Sequence, residues 1–480
     1  MAVAMAAEAG SGSGSGSGYG GHVLVVPYPS QGHINPLLQF CKRLVSHHNG
    51  LTVTFATTLF ISKTFTPNPN KLPPSIHFDT ISDGFDTGGF VQSSGVDDYL
   101  SRLQAAGSKT LSQLIERHRQ SNNPIGCVVY DSFLDWCLDV ANKFGLAAGP
   151  FFTQSSTSNY IYYSLHHGLL KLPIDSFPVS VEGLEFLSSL DEMPSFVGVP
   201  GSYPAYFQMV LNQFSNTHKP HFVLVNSVYE FEQQVVDCMS KVCPVLTIGP
   251  TVPLFYLDKS FQDDNEYGYD LFEPDSSAPI IQWLNTKPPK SVVYVAFGSM
   301  ASLSATQMEE LALGLNATHF NFLWVLRSSE ERAKLPPNLE EEIGERGLIL
   351  NWVPQMEILS HGAVGCFFTH CGWNSTVEAL SLGVPMVGMP QWTDQPTDAK
   401  LIEDVWKVGV RVKVDENGIV GRNEVENCIR QVMEGDTTSH FTHNANKWRN
   451  VAIQAISQGG SSHNNIRQFV SKLLNNNFTK

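Results

Sequence analysis

Short runs of β-branched and aromatic residues recur along this chain with room for a helix between most neighbours, and the series occurs twice. The first series lies at 22–27 (HVLVVP), 51–57 (LTVTFAT), 76–79 (IHFD), 126–130 (GCVVY), 146–152 (LAAGPFF) and 222–226 (FVLVN), with helical spacing at 98–118 and 134–144. The second lies at 291–297 (SVVYVAF), 321–326 (NFLWVL), 347–350 (GLIL), 364–369 (VGCFFT), 385–388 (PMVG) and 409–413 (GVRVK). A strand followed by a helix returns the chain parallel to itself, so each series predicts a mainly parallel sheet with helices on both faces. Such sheets take ligands beyond the carboxyl ends of their strands. Two in tandem would share a site in the cleft between them, and 480 residues is more than one ordinary core holds.

The expected division follows the two series. Residues 1–20 end in a Gly/Ser repeat and read as a disordered tail. Residues 21–253 form an N-terminal domain, and 254–279, acidic and opened by Gly249-Pro250-Thr251-Val252-Pro253, form an interdomain linker. A C-terminal domain spans 280–461, and a last helix within 462–480 has no strand after it and is expected to pack back on the N-terminal domain. A net charge of -15 argues against nucleic acid and anionic membranes as partners. The eight cysteines are scattered without a C-x-x-C, residues 1–21 lack the basic and long apolar regions of a secretory signal, so none is expected, and no apolar run is long enough to span a membrane. A cytoplasmic monomer is expected.

The most informative stretch is 352–395, WVPQMEILSHGAVGCFFTHCGWNSTVEALSLGVPMVGMPQWTDQ. Its middle reads strand, turn, helix: an apolar run at 364–369, a turn at 370–374, and helical spacing from Ser375 to Gly383-Val384-Pro385. A helix that opens straight out of a buried strand presents free N–H groups and a positive dipole end, a ready phosphate site. Gly372 allows close approach of the backbone, and Asn374 and Ser375 add side-chain donors. Other readings exist for single residues. Ser375-x-x-Glu378 is also a capping box, Trp352 and Trp392 could be core aromatics, and Cys366, His370 and Cys371 could suggest a metal. No second Cys or His pair with zinc-site spacing follows, which weakens the metal reading. No strand opens into a G-x-G-x-x-G turn, so a nicotinamide oxidoreductase is disfavoured.

A base is suggested by the loop Pro29-Ser-Gln-Gly-His33, which follows the first strand, although a lone histidine in such a turn is more often a helix-start residue. Histidine is the side chain whose ordinary pKa suits proton transfer near neutrality. Asp131, at the end of the fourth strand, could fix its tautomer and stabilise the imidazolium. His22 begins its strand and so sits at the wrong end of the sheet. Thr153 also ends a strand and is a further candidate for the site.

The whole stretch 352–395 resembles, without gaps, the plant secondary-product glycosyltransferase signature box that marks family 1 UDP-sugar-dependent glycosyltransferases. The resemblance implies the GT-B fold, α/β, with two tandem Rossmann-like doubly wound parallel-sheet domains facing across a cleft. It implies that Trp352 stacks on uracil, that Val353 and Gln355 help hold base and ribose, and that Glu378 binds ribose hydroxyls. His370, Asn374 and Ser375 would meet the diphosphate, with Gly372 in the turn and Ser299 beside a phosphate, while Trp373, Asp394 and Gln395 meet the sugar. His33 and Asp131 match the family's catalytic pair.

No Asp-x-Asp occurs, so no metal and no cofactor beyond the UDP-sugar donor is expected. Gln395 matches glucose-using members, and a single displacement predicts inversion. The segments PYPSQGHINPLLQF, ISDGFD, YLDK and PQWTDQPTDAK resemble the subgroup that glucosylates salicylate-like acids, indole-3-acetate and triterpenoids. The acceptor is expected to be a small lipophilic molecule with a hydroxyl or carboxyl, lined by 80–95, 154–168 and 184–210. Phe85, Tyr160, Tyr162, Tyr163, Tyr206, Phe207 and Met209 are the aromatic and apolar candidates there, and many of them could equally be ordinary core residues. A UDP-sugar-binding protein without catalysis is the non-enzymatic alternative.

Overall fold

The computed structural model describes residues 21–199, 201–216, 219–272, 275–475 and 477–478. The Gly/Ser tail expected at 1–20 lies outside the described residues. The first series becomes β1 (His22–Val26), β2 (Thr52–Thr58), β3 (Ile76–Ile81), β4 (Cys127–Asp131), β5 (Ala147–Phe152) and β6 (Val223–Val225). A seventh strand, β7 (Val245–Thr247), was not anticipated, because three residues carry no readable period. The second series becomes β8 (Val292–Ala296), β9 (Asn321–Val325), β10 (Gly347–Leu350), β11 (Val364–Thr369), β12 (Met386–Gly388) and β13 (Gly409–Arg411).

Both sheets are parallel throughout, in the orders β3-β2-β1-β4-β5-β6-β7 and β10-β9-β8-β11-β12-β13. Alternate residues of one strand feed opposite cores, as the period of two requires. Val23 and Val25 pack with Leu37, Phe40 and Leu44 of the helix Gln31–His47. Leu24 and Val26 pack with Leu103 and Leu111 of the helix Val96–Arg119.

In each sheet the chain starts near the middle, winds to one edge and then crosses back. Strand order reverses between β1 and β4 in the first sheet and between β8 and β11 in the second. Helices leave in opposite directions at such a point and open a crevice at the strands' carboxyl ends. His33 follows β1, Asp131 closes β4, Ser299 follows β8 and His370 follows β11. Every one of these candidates therefore sits at a reversal point.

The segment 254–272 lies against the helix Gln31–His47. Asp264 accepts from Gln39 Nε2 at 2.6 Å and Lys42 Nζ at 3.1 Å. Gln31 accepts from Leu271 N–H at 2.5 Å and donates to the Tyr269 carbonyl at 3.1 Å. The final helix, Ser461–Leu474, places Phe469 with its ring centroid 5.9 Å from Phe40 and 4.9 Å from Phe222, against the first sheet.

Candidate active site

His33 stands in the first turn of its helix, held by the Ser30 carbonyl through its backbone N–H. Its Nδ1–H donates to Asp131 Oδ2 at 2.6 Å, and Thr153 Oγ1 lies 3.2 Å from the same nitrogen. Asp131 is fully buried, and its other oxygen accepts from the Phe133 N–H at 3.1 Å. A carboxylate can only accept, so it fixes the tautomer and leaves the lone pair on Nε2. Tyr28 and Phe133 flank the imidazole at 5.2 and 4.9 Å between centroids. His22, by contrast, is buried between Asn123 O and Thr54 Oγ1, each 2.9 Å away.

Facing this pair, the helix Trp373–Leu382 begins directly after the turn that follows β11, two residues earlier than its spacing suggests. Gly372 is its N-cap, and no side chain caps it. Ser375 is thus inside the first turn, which removes the capping-box reading of Ser375 and Glu378. Cys371 adopts φ 64 just before the cap, which turns the chain sharply from strand to helix. The His370 ring is wedged between two glycines: a Cβ added at Gly298 or at Gly372 would come within 2.5 Å of its Nε2. Burial, and then the nearby Arg327 charge, push its pKa down to about 4, so the ring is neutral at pH 7.

Glu378 is buried, which raises its pKa, and both oxygens are engaged. Tyr267 donates to Oε1 at 2.6 Å and Gln355 Nε2 to Oε2 at 2.5 Å. Gln355 also donates to Ser375 Oγ at 2.9 Å. Phe272 stacks on Trp352 at 4.5 Å with the rings 28° apart. Tyr267 and Phe272, both from the segment 254–272, were missed in the sequence because that segment has no periodicity to read. Val353 is buried and lines the same cavity as Trp352, Gln355 and Glu378.

That cavity is continuous with the one around His33: Gly32, Ser299, His370, Trp373 and Asn374 line both. Trp373 spends its indole N–H on the Asn226 carbonyl at 2.5 Å. Asn374 reaches across the cleft and donates to the Gly32 carbonyl at 2.6 Å. Asp394 and Gln395 also line the His33 cavity. Gln395 Oε1 accepts from the N–H groups of Gln391 and Trp392 at 2.8 and 3.1 Å, which fixes the amide orientation and leaves its NH2 as the donor end. Asp394 is buried with a raised pKa and bonds the Thr393 hydroxyl. The groups at the helix start are donors with no carboxylate among them. Among the described residues there is no cluster of three or more His, Cys, Asp or Glu that could hold a metal, and no helix long and apolar enough to cross a membrane.

Of the expected acceptor-facing residues, Tyr206 and Met209 line the His33 cavity. Phe85, Tyr160 and Tyr162 belong instead to buried cores, and Tyr163 and Phe207 pack against one of them. Tyr28, Phe133, Phe196, Met300 and Trp392 take their place on the wall.

Residues 214–445 match the family described as UDP-glucoronosyl and UDP-glucosyl transferase. Two Arabidopsis thaliana proteins, UDP-glycosyltransferase 74F2 and flavonol 7-O-beta-glucosyltransferase UGT74F1, are each 52% identical over 457 residues, covering 94% of this chain and 98% of theirs. Mogroside I-E synthase of Siraitia grosvenorii is 42% identical over 453 residues, with 94% and 98% covered. Among solved structures, Os79 from O. sativa in complex with UDP aligns with a TM-score of 0.87 at 37% identity, covering 94% of this chain and 100% of that one. The α/β architecture of two facing Rossmann-like domains is the GT-B fold. With this sheet order, this cleft and these relatives, the chain belongs to the plant family 1 UDP-dependent glycosyltransferases and is an enzyme of that class.

Proposed function

We propose that the enzyme transfers glucose from UDP-glucose, with inversion, to a hydroxyl or carboxyl of a small lipophilic metabolite. The observation that carries the reading is the 2.6 Å His33–Asp131 pair on a cavity continuous with the uncapped start of the Trp373–Leu382 helix. His33 Nε2 takes the acceptor's proton as the acceptor oxygen attacks the anomeric carbon. The bond from that carbon to the diphosphate breaks, and UDP leaves with its electron pair. Asp131 stabilises the imidazolium so formed. The backbone N–H groups at the helix start, with Ser299, Asn374 and Ser375, receive the charge growing on the diphosphate, while neutral His370 can only share a hydrogen bond. Those groups are donors, which supports turnover without a divalent cation.

On this reading Trp352, Val353, Gln355 and Glu378 hold uridine. Asp394 as acceptor, the Gln395 NH2 and the Trp373 backbone N–H as donors, and Thr153 address the sugar. Residues 21–253 serve the acceptor and 280–461 the donor, joined through 254–279, in a cytoplasmic monomer. The name of one relative, flavonol 7-O-beta-glucosyltransferase, supports glucose as the sugar and a flat aromatic acceptor. Tyr28, Phe133, Phe196 and Trp392 suit such a molecule.

The test is UDP release from UDP-glucose over a panel of phenols, aromatic acids and hydroxylated terpenoids, for the parent and His33→Ala. A loss of about a hundredfold or more on hydroxyl acceptors is expected. Retained turnover in His33→Ala would remove the base from His33. UDP-glucose binding without UDP release on any acceptor would favour a silent binding protein.

A further inference from the structure

The turn that carries Asp394 and Gln395 is not self-supporting. Thr393 adopts φ 55, a left-handed conformation that a β-branched residue takes only when its surroundings impose it. What imposes it comes from the other half of the molecule. The Thr393 N–H donates to Ser195 Oγ at 2.7 Å, and the Thr393 carbonyl accepts from the Ser195 N–H at 2.7 Å. The Thr393 hydroxyl, thus oriented, bonds the Asp394 carboxylate and backbone N–H. Ser195 is itself anchored three residues upstream. The Glu192 carbonyl accepts from Thr397 Oγ1 at 2.9 Å, and its buried carboxylate pairs with Lys400 at 2.7 Å. The next residue, Phe196, lines the His33 cavity and meets the Trp392 ring at 6.3 Å.

We propose that Ser195 is a positioning residue for the transferred sugar: by clamping Thr393 it aims Asp394 and Gln395, and so sets how strictly the donor site selects its hexose. This rests on the reading that Asp394 and Gln395 meet the sugar. Ser195 touches neither the nucleotide cavity nor the His33–Asp131 pair. Its removal therefore loosens sugar recognition and leaves uridine recognition alone. One clamp bond of ordinary strength corresponds to about a three- to tenfold change.

The experiment compares kcat/KM for UDP-glucose, UDP-galactose and UDP-xylose in the parent, Ser195→Ala, Ser195→Thr and Asp394→Asn, with Kd for UDP by calorimetry. Ser195→Ala is expected to lower kcat/KM for UDP-glucose about three- to tenfold and to narrow the ratio between donors, with Kd for UDP unchanged. Ser195→Thr, which keeps the hydroxyl, restores the ratio. A loss shared equally by all three donors, with a lower Tm, would show a merely structural role and overturn the proposal. So would an unchanged ratio in Ser195→Ala while Asp394→Asn changes it. If Asp394→Asn also leaves the ratio intact, the sugar-contact reading itself fails.

Discussion

Asp131→Asn separates hydroxyl from carboxyl chemistry. In the parent both carboxylate oxygens accept, one from His33 Nδ1 at 2.6 Å and one from the Phe133 N–H at 3.1 Å, and the group has no exposed surface. An amide offers one acceptor and one donor. With its oxygen toward His33, its NH2 opposes the Phe133 N–H, and the imidazolium has lost its counter-charge. With its NH2 toward His33, the ring carries its proton on Nε2 and can no longer act as a base. Loss of a charge-assisted hydrogen bond contributes about 1.5–3 kcal/mol and an unpaired buried donor about 1–3 kcal/mol, which together predict roughly two to four orders of magnitude in kcat.

A carboxylate acceptor is already ionised near pH 7 and needs no base, so its loss should stay below about tenfold. The assay uses a hydroxybenzoate, which carries both groups on one ring, and resolves phenolic glucoside from glucose ester by chromatography. Asp131→Asn should shift the product toward ester, with unfolding monitored separately by Tm. Equal losses of both products would mean that Asp131 holds the loop and does not serve proton transfer.

Tyr267→Phe removes the donor to Glu378 Oε1 inside a buried site, and Kd for UDP should rise about tenfold or more. The rise should be smaller for 2′-deoxy-UDP, which has one hydroxyl fewer to offer Glu378, and an unchanged Kd for UDP would show that Gln355 alone orients the carboxylate. His370, with its pKa pushed down to about 4 by burial and Arg327, stays neutral in the fold while the unfolded chain protonates near 6.5. The stability it contributes is present above pH 6.5 and is lost as pH falls toward 4, by about 2 kcal/mol between pH 7 and pH 5. Urea unfolding at the two pH values checks this, and an unmoved midpoint would refute it.

The strands were legible because parallel strands buried on both faces read as nearly unbroken apolar runs, and β10 and β11 fall on their runs without adjustment. His33 and Asp131 were legible as strand-end residues. What local pattern does not contain is the order of the strands, and it is the order that brings these two ends side by side. The acceptor wall was legible only in part, Tyr206 and Met209 lining the cavity and the other five not, for a related reason. Tyr160 and Tyr162 lie on the helix Ser156–His166, which is buried nearly all round, so apolar spacing says nothing about which face meets the cavity. Tyr267 and Phe272 reach Glu378 and Trp352 from more than 75 residues away in the chain, and no spacing rule spans that distance.

Pro36 shows how a local peculiarity of sequence becomes a contact between the two halves. A proline inside a helix has no N–H, so the carbonyl four residues earlier loses its partner, and here that carbonyl belongs to Gly32. A buried or half-buried carbonyl must find a donor elsewhere. Gly32 finds it in the side chain of Asn374, 2.6 Å away on the facing helix, and Asn226 supports the Asn374 oxygen at 3.4 Å. Asn374 is one of the groups proposed to receive the diphosphate, and Gly32 immediately precedes His33. Each amide N–H of Asn374 makes one good bond at a time, so a diphosphate at the helix start either shares this side chain with the Gly32 carbonyl or draws it away. The helix start proposed to hold the diphosphate is thereby bonded, through a single carbonyl that a proline left free, to the helical turn that holds the proposed base.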